Sequence, residues 1–153
     1  MNPSDPGPPP PREHASLFLR YWVPVIAYVI LIFGASSVPG RDVPTLFPHA
    51  DKLEHLAEYA LFGLLLGRAF RFTVGGRRGM LWALAAVAAG ALVGGMDELY
   101  QRLTPGRFSD VRDWIVDVAA VTLAVLFTQY IRLHPIRRRR DRASAAAPGK
   151  GTP

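Results

Sequence analysis

The chain of 153 residues contains no cysteine. Disulfide bonds, thiolate zinc sites and cysteine nucleophiles are therefore excluded. The sequence also contains no HExxH metalloprotease motif, no GxSxG nucleophile motif and no phosphate-binding P-loop. Without these signatures, the sequence leaves an enzymatic activity open but favours a protein that is not an enzyme.

Charged residues are absent from three long runs, which are Tyr21–Gly40, Gly79–Met96 and Val118–Ile131. A helix needs about 20 apolar residues to cross a bilayer, so the first two runs are long enough. The third is long enough if the residues just before it form its polar end. A fourth stretch, Leu53–Phe70, carries charges near both ends, and its position between two clear spans makes it a candidate.

We therefore predict an all-α integral membrane protein, a small bundle of four transmembrane helices. The approximate spans are 21–38, 53–71, 79–97 and 112–131. A soluble helical bundle is the alternative, and it is disfavoured because Gly79–Met96 has no polar face.

The two ends of the chain have compositions that are typical of disorder. Six of the first 13 residues are proline, and the chain ends in a basic and then small-residue segment. We predict a disordered proline-rich tail over residues 1–19, the transmembrane domain over 20–132 and a basic disordered tail over 133–153.

Arginine and lysine placement predicts the orientation. In an alternating four-helix bundle, the side with both termini holds 13 of the 18 lysines and arginines. Positively charged segments stay in the cytoplasm, so we predict a multi-pass protein of the bacterial inner membrane with both termini cytoplasmic. The first span also resembles a signal peptide, but its uncharged stretch is longer than usual, which favours an uncleaved anchor.

The arginine run at 137–140 directly follows the last span. Attraction to anionic lipid headgroups explains this position. A nucleic-acid partner is not predicted, because the chain contains no groove-reading module.

Nine of the twelve acidic residues fall on the predicted outer side, many of them at helical spacing. On two helices, the face that carries these acids continues towards the membrane interior as glycines. They are Gly63 and Gly67 on the second helix and Gly90 and Gly94 on the third. Because small residues allow helices to approach closely in lipid, we predict that the second and third helices pack on each other through these glycines.

Ionisable groups near membrane depth are costly unless they are paired or hydrated, so they indicate a functional site. The alternative is a purely structural ion-pair network, which does not explain the surplus of carboxylates over outer cations. The predicted polar site consists of Asp51, Lys52, His55, Tyr59, Asp97, Glu98, Gln101, Arg107, Asp113 and Asp117.

Three motifs, in this order, resemble the VanZ family of small bacterial membrane proteins. They are SSVP at 36–39, DKLEHLAEYALFGLLL at 51–66 and DELYQRLTPGRFSDVRDWIVD at 97–117. All residues of the predicted site except Asp117 match the polar residues that the family has at the corresponding positions. Asp117 stands where the family usually has asparagine, and Ala120 where it often has glycine. The resemblance implies a cell-envelope membrane protein, and the family's name comes from a member associated with teicoplanin resistance.

We predict that the polar site binds an envelope component or an amphiphilic molecule, such as a lipopeptide or a lipid-linked precursor. Arg107 and Lys52 would contact its phosphate or carboxylate groups, and membrane lipids are the other expected partners. No cofactor is predicted. One alternative is a metal-dependent enzyme acting on a lipid-linked phosphate, in which His55 with Asp51, Asp97 or Asp113 binds a divalent cation. The other is a structural or assembly subunit with no ligand.

Overall fold

A computed structural model describes residues 11–42, 50–74 and 80–145, with side chains described from residue 15 to residue 131 within those ranges. The described residues form four α-helices and a short 3-10 turn, and the prediction of an all-α protein is confirmed. The helices are α1 (Pro11–Ser36), α2 (Ala50–Val74), α3 (Leu81–Gln101) and α4 (Val111–Ala145), with the turn Gly40–Asp42 after α1.

The two outer helices extend beyond the predicted transmembrane domain. α1 begins at Pro11 and α4 ends at Ala145, so each helix continues into a segment for which the composition predicts a disordered tail. The domain boundaries at residues 19–20 and 132–133 stay predictions. Proline is tolerated at the first helical position because its missing N–H would have no partner there. The arginines and alanines after residue 136 are strong helix formers. The remainder of both predicted tails lies outside the described residues.

Three of the described helices are long and apolar enough to cross a membrane, over Ala15–Ser36, Leu81–Gln101 and Val111–Ile131. Large apolar side chains cover their outward faces, with Ile30 68% and Leu123 64% exposed. Water disfavours apolar surface on this scale, whereas lipid accommodates it. The fold is therefore that of a membrane protein. α2 does not meet the same criterion, since charged residues occupy both of its ends.

α2 and α3 form the centre of the bundle, and each of them contacts the other three helices. Within the described residues, α1 and α4 share no contact and lie on opposite flanks of the central pair. The most extensive contact joins α2 to α4. The core between the helices is apolar and includes Ile32, Tyr59, Phe62, Val121 and Val125.

The glycine stripes of α2 and α3 both face α4. A Cβ atom at Gly63 would lie 2.8 Å from the Cα atom of Val121, and one at Gly90 would lie 2.7 Å from Cγ1 of Val121. The prediction that α2 and α3 pack on each other through these glycines was wrong. Spacing identifies a small-residue face, but it does not specify which neighbour approaches that face.

Candidate functional site

The candidate site lies at the end of the bundle where α1 and α3 finish and where α2 and α4 begin. α2 and α4 run in the same direction, so residues at similar distances from their first residues lie at similar depth. Lys52 therefore meets Asp113, and His55 meets Asp117 one turn further in. We call the deeper group the inner cluster; it consists of His55, Tyr59, Asp97, Glu98, Gln101 and Asp117.

A buried pair joins α2 to α4 in the inner cluster. His55 Nδ1 lies 3.0 Å from Asp117 Oδ1. The Asp117 side chain is 0% exposed and that of His55 is 11% exposed. A carboxylate this deeply buried is stable only with a partner of opposite polarity, and the imidazole supplies that partner to one of its two oxygens.

Asp97 lies at the centre of a second set of contacts, which joins α1, α2 and α3. Tyr59 Oη of α2 donates a hydrogen bond to Asp97 Oδ2 over 3.4 Å, and Gln101 Nε2, one turn further along α3, donates to the same oxygen over 3.3 Å. The Gln101 amide also lies 3.5 Å from the hydroxyl oxygen of Ser36 at the end of α1. The inner cluster is thus linked to all four helices.

Glu98 fixes the segment that leads into α4. Its Oε2 atom accepts a hydrogen bond of 2.8 Å from the backbone N–H of Asp110. Its side chain also lies beside His55 and Asp117, since one ligand-type atom from each of the three residues falls within 4.8 Å of the others.

Three carboxylate oxygens of the inner cluster are buried without a hydrogen-bond partner among the described residues. They are Asp97 Oδ1, Glu98 Oε1 and Asp117 Oδ2. A buried acceptor without a partner costs about 1–3 kcal/mol, and more when it is charged. The cluster therefore has spare capacity to accept hydrogen bonds or to coordinate a positively charged group.

An outer ion-pair layer, formed by Asp51, Lys52, Asp110 and Asp113, lies one turn above the inner cluster. Lys52 Nζ lies 2.5 Å from Asp113 Oδ1, 3.4 Å from Asp51 Oδ2 and 3.6 Å from Asp110 Oδ2. The hydrogen bond to Asp113 raises the pKa of Lys52 above its ordinary value. The Arg112 backbone N–H, aided by the Lys52 ammonium, lowers the pKa of Asp110. The charged forms of Lys52 and Asp110 are therefore favoured.

Arg107 lies apart from the inner cluster, at the carboxyl end of α1. Its Nε donates to the Val38 carbonyl over 3.2 Å, and its Nη2 donates to the Ala35 carbonyl over 3.1 Å. A cation is favourable there because the last carbonyls of a helix carry partial negative charge. These two hydrogen bonds hold the α3–α4 connection against the end of α1.

The α3–α4 connection makes a close backbone contact with the residues after α1. Gly106 has a φ angle of +76°, a conformation that favours glycine. A Cβ atom at Gly40 would lie 1.8 Å from the Gly106 carbonyl oxygen, and the Gly40 N–H donates to the Pro105 carbonyl over 3.0 Å. Glycine is therefore needed at both positions for the two backbone segments to come this close.

Two polar residues of the site were absent from our sequence prediction. Ser36 and Thr104 are both buried, and the Thr104 hydroxyl donates to the Ser36 carbonyl over 3.0 Å. Both residues carry uncharged hydroxyls, so they did not contribute to the surplus of charge that marked the other positions. The sequence feature that could have identified Ser36 as a site residue was its place in the SSVP motif.

The acids beside His55 differ from those that the metal-dependent alternative named. Asp51 and Asp113 contact Lys52 in the outer ion-pair layer, and Asp97 is held by Tyr59 and Gln101. Within the described ranges, Glu98 and Asp117 are the acids that form a group with His55 in which the nitrogen and oxygen atoms lie within 4.8 Å of one another. Helical spacing within α2 and α3 could not identify these cross-helix neighbours.

The sequence of the chain matches a known protein family. The VanZ/LLP1 family model matches residues 18–132, which include all three motifs and the whole candidate site. No curated protein and no solved structure matches the chain. The family match covers most of the sequence, and this chain belongs to the VanZ/LLP1 family.

Proposed function

We propose that the protein crosses the bacterial inner membrane four times and binds an amphiphilic envelope molecule at its outer polar end. The ligand would be a lipopeptide or a lipid-linked precursor whose head carries an amine or another hydrogen-bond donor. The observation that carries this proposal is the set of three buried carboxylate oxygens for which the described part of the chain supplies no hydrogen-bond partner. A donor entering the inner cluster would satisfy acceptors that otherwise destabilise the fold.

The layout of charge around the inner cluster favours a ligand with both a cationic and an anionic part. The interior offers carboxylates, whereas Lys52 and Arg107 lie closer to the end of the bundle. An amine could enter the inner cluster while a phosphate or carboxylate stays near these two cations. The exposed apolar faces of α1 and α4 would leave the lipid tail in the membrane.

The contacts of α2 support its role as the fourth span. It packs against the other three helices, so its polar residues can face protein instead of lipid, which is the usual arrangement for ionisable groups at membrane depth. Four alternating spans then place both termini on the arginine-rich side, which the positive-inside tendency assigns to the cytoplasm.

This topology predicts the location of fused reporters. A reporter inserted after Pro105 should be external, and one fused to the C-terminus should be cytoplasmic. An N-terminal epitope tag should remain on the membrane-bound protein, because α1 is proposed to be an uncleaved anchor. Protease protection in spheroplasts would check all three positions, and a cytoplasmic signal after Pro105 would overturn the orientation.

The binding proposal predicts that Asp97→Asn lowers affinity for the amphiphile by about tenfold or more, as expected when a buried charged acceptor is lost. The measurement is a binding screen on purified protein with lipid-linked precursors and lipopeptides, teicoplanin included because of the family membership. Each amine-bearing ligand is compared with its N-acetylated form. Asp42→Asn is the matched control, since that side chain is exposed and paired with Arg41.

The outcomes separate the proposal from the alternatives. Equal binding by Asp97→Asn and Asp42→Asn, or no binding to any member of the panel, would remove the proposed ligand site. A loss of membrane abundance in Asp97→Asn without any measurable ligand would instead favour a structural or assembly subunit. The metal-dependent enzyme requires an ion in the inner cluster and release of phosphate from a lipid-linked substrate.

A further inference from the structure

We propose that His55, Glu98 and Asp117 form a binding site for a divalent transition-metal ion such as Mn²⁺ or Zn²⁺. One ring nitrogen of His55 and one carboxylate oxygen from each of Glu98 and Asp117 lie within 4.8 Å of one another. Bonds from zinc to nitrogen or oxygen ligands are about 2.0–2.2 Å long, so two ligands of one tetrahedral ion are separated by roughly 3.3–3.6 Å. Side-chain shifts that shorten the separations by up to about 1 Å would bring all three atoms into range.

Both carboxylates are already oriented for coordination. Glu98 Oε2 accepts the backbone N–H of Asp110, and Asp117 Oδ1 contacts His55. Their other oxygens, Glu98 Oε1 and Asp117 Oδ2, are buried and have no hydrogen-bond partner among the described residues. The Asp110 N–H thus holds Glu98 by one oxygen and leaves the second available, which is how outer contacts orient the ligands of metal sites. Asp117 reaches His55 with one oxygen and also leaves its second available.

The burial of the cluster gives a cation a strong advantage. Asp117 is 0% exposed and Glu98 is 5% exposed, so two carboxylates lie out of water beside a single imidazole. Buried charges require compensation because desolvation costs several kcal/mol for each ion. A divalent cation bound between them would balance both negative charges, with His55 coordinating as a neutral imidazole.

Gly94 provides the space in which Asp117 reaches α3. A Cβ atom at Gly94 would lie 3.2 Å from Asp117 Oδ2 and 3.3 Å from Asp117 Cβ. Gly94 and Glu98 are four residues apart and therefore lie on the same face of α3. The free oxygen of Asp117 consequently lies against the face of α3 that carries Glu98, one turn away.

The ligand set selects the class of metal. Calcium and magnesium prefer oxygen ligands alone, and copper(I) prefers thiolates or thioethers. One imidazole with two carboxylates suits Mn²⁺ or Zn²⁺, and three protein ligands leave a coordination position open for water or a ligand group. The metal site does not depend on amphiphile binding, but it would occupy two of the three oxygens on which that proposal rests and leave Asp97 Oδ1 for a donor from the amphiphile.

The test uses the full chain purified in detergent, stripped with EDTA and titrated separately with Mn²⁺ and with Zn²⁺. We expect about one bound Mn²⁺ per chain and a nitrogen coupling from His55 in pulsed electron paramagnetic resonance spectra. His55→Gln should abolish that coupling, and Glu98→Gln and Asp117→Asn should each weaken binding by about tenfold or more. Glu54→Gln, on the exposed face of α2, should bind Mn²⁺ like the wild type.

Measurements on the wild-type chain decide the proposal even if a variant fails to fold. Failure of the stripped wild type to bind either Mn²⁺ or Zn²⁺ stoichiometrically would overturn it. So would a folded His55→Gln protein, with unchanged helical circular dichroism and elution volume, that retains the nitrogen coupling. Metal binding without any envelope ligand would support the site while counting against the amphiphile proposal, so the two failures are distinguishable.

Discussion

Gly63→Leu is expected to lower the free energy of unfolding by about 3 kcal/mol or more and to deplete the protein from the membrane. Even a Cβ atom at this position would lie 2.8 Å from both the Cα atom of Val121 and the Cβ atom of Ala124. Backbone atoms cannot rotate away, so α2 and α4 must separate. The contact between those helices is the most extensive in the bundle.

The matched control for this substitution is Gly34→Leu on α1. A Cβ atom at Gly34 would have no neighbour within 4 Å, so the added side chain enters open space. Unfolding of purified protein by sodium dodecyl sulfate, followed by circular dichroism, measures the difference between the two variants. Equal stability of both proteins would show that Gly63 does not mediate close contact between α2 and α4.

His55→Leu is expected to cost about 3–5 kcal/mol, the usual effect of removing one partner from a buried charged pair. The substitution leaves the fully buried Asp117 carboxylate without the imidazole that contacts it. Adding Asp117→Asn should recover much of the loss, because a neutral amide is less costly to bury than a carboxylate. Unfolding is measured in EDTA so that a bound metal does not contribute.

An exposed ion pair provides the comparison for His55. Arg41 and Asp42 lie 3.6 Å apart with side chains 85% and 56% exposed, so Arg41→Leu should change stability by less than about 1 kcal/mol. If His55→Leu is equally mild, the His55–Asp117 contact does not stabilise the bundle. Recovered stability in the double variant without recovered Mn²⁺ binding would separate the structural role of these residues from their proposed metal-binding role.

The polar site was recognisable in the sequence because its residues repeat at helical spacing. Asp51 and His55 share a face of α2, and Asp97 and Gln101 share a face of α3, so each stripe could be assigned to one end of a span. The pairing between stripes was not recognisable. The partner of His55 across the bundle is Asp117, because α2 and α4 begin together at the same end.

The neighbours of Arg107 were not recognisable in the sequence either. The predicted contact of Arg107 with a ligand stays a prediction, and two of its donors bind carbonyls at the end of α1. These carbonyls lie about 70 positions earlier in the chain, and no local pattern links the two segments. Ser36 and Thr104 were missed for a related reason, since their polarity matters only where the end of α1 meets the α3–α4 connection.

Composition and spacing alone were sufficient to identify a helical membrane protein with its polar groups gathered at one end. Those properties depend on local periodicity and on the free energy of transferring each segment from water to lipid. The neighbours of each polar group and of each glycine depend instead on helix direction, depth and rotation, which arise when the helices pack. The fold therefore decided that α4 lies against both glycine stripes and that Glu98 and Asp117 accompany His55.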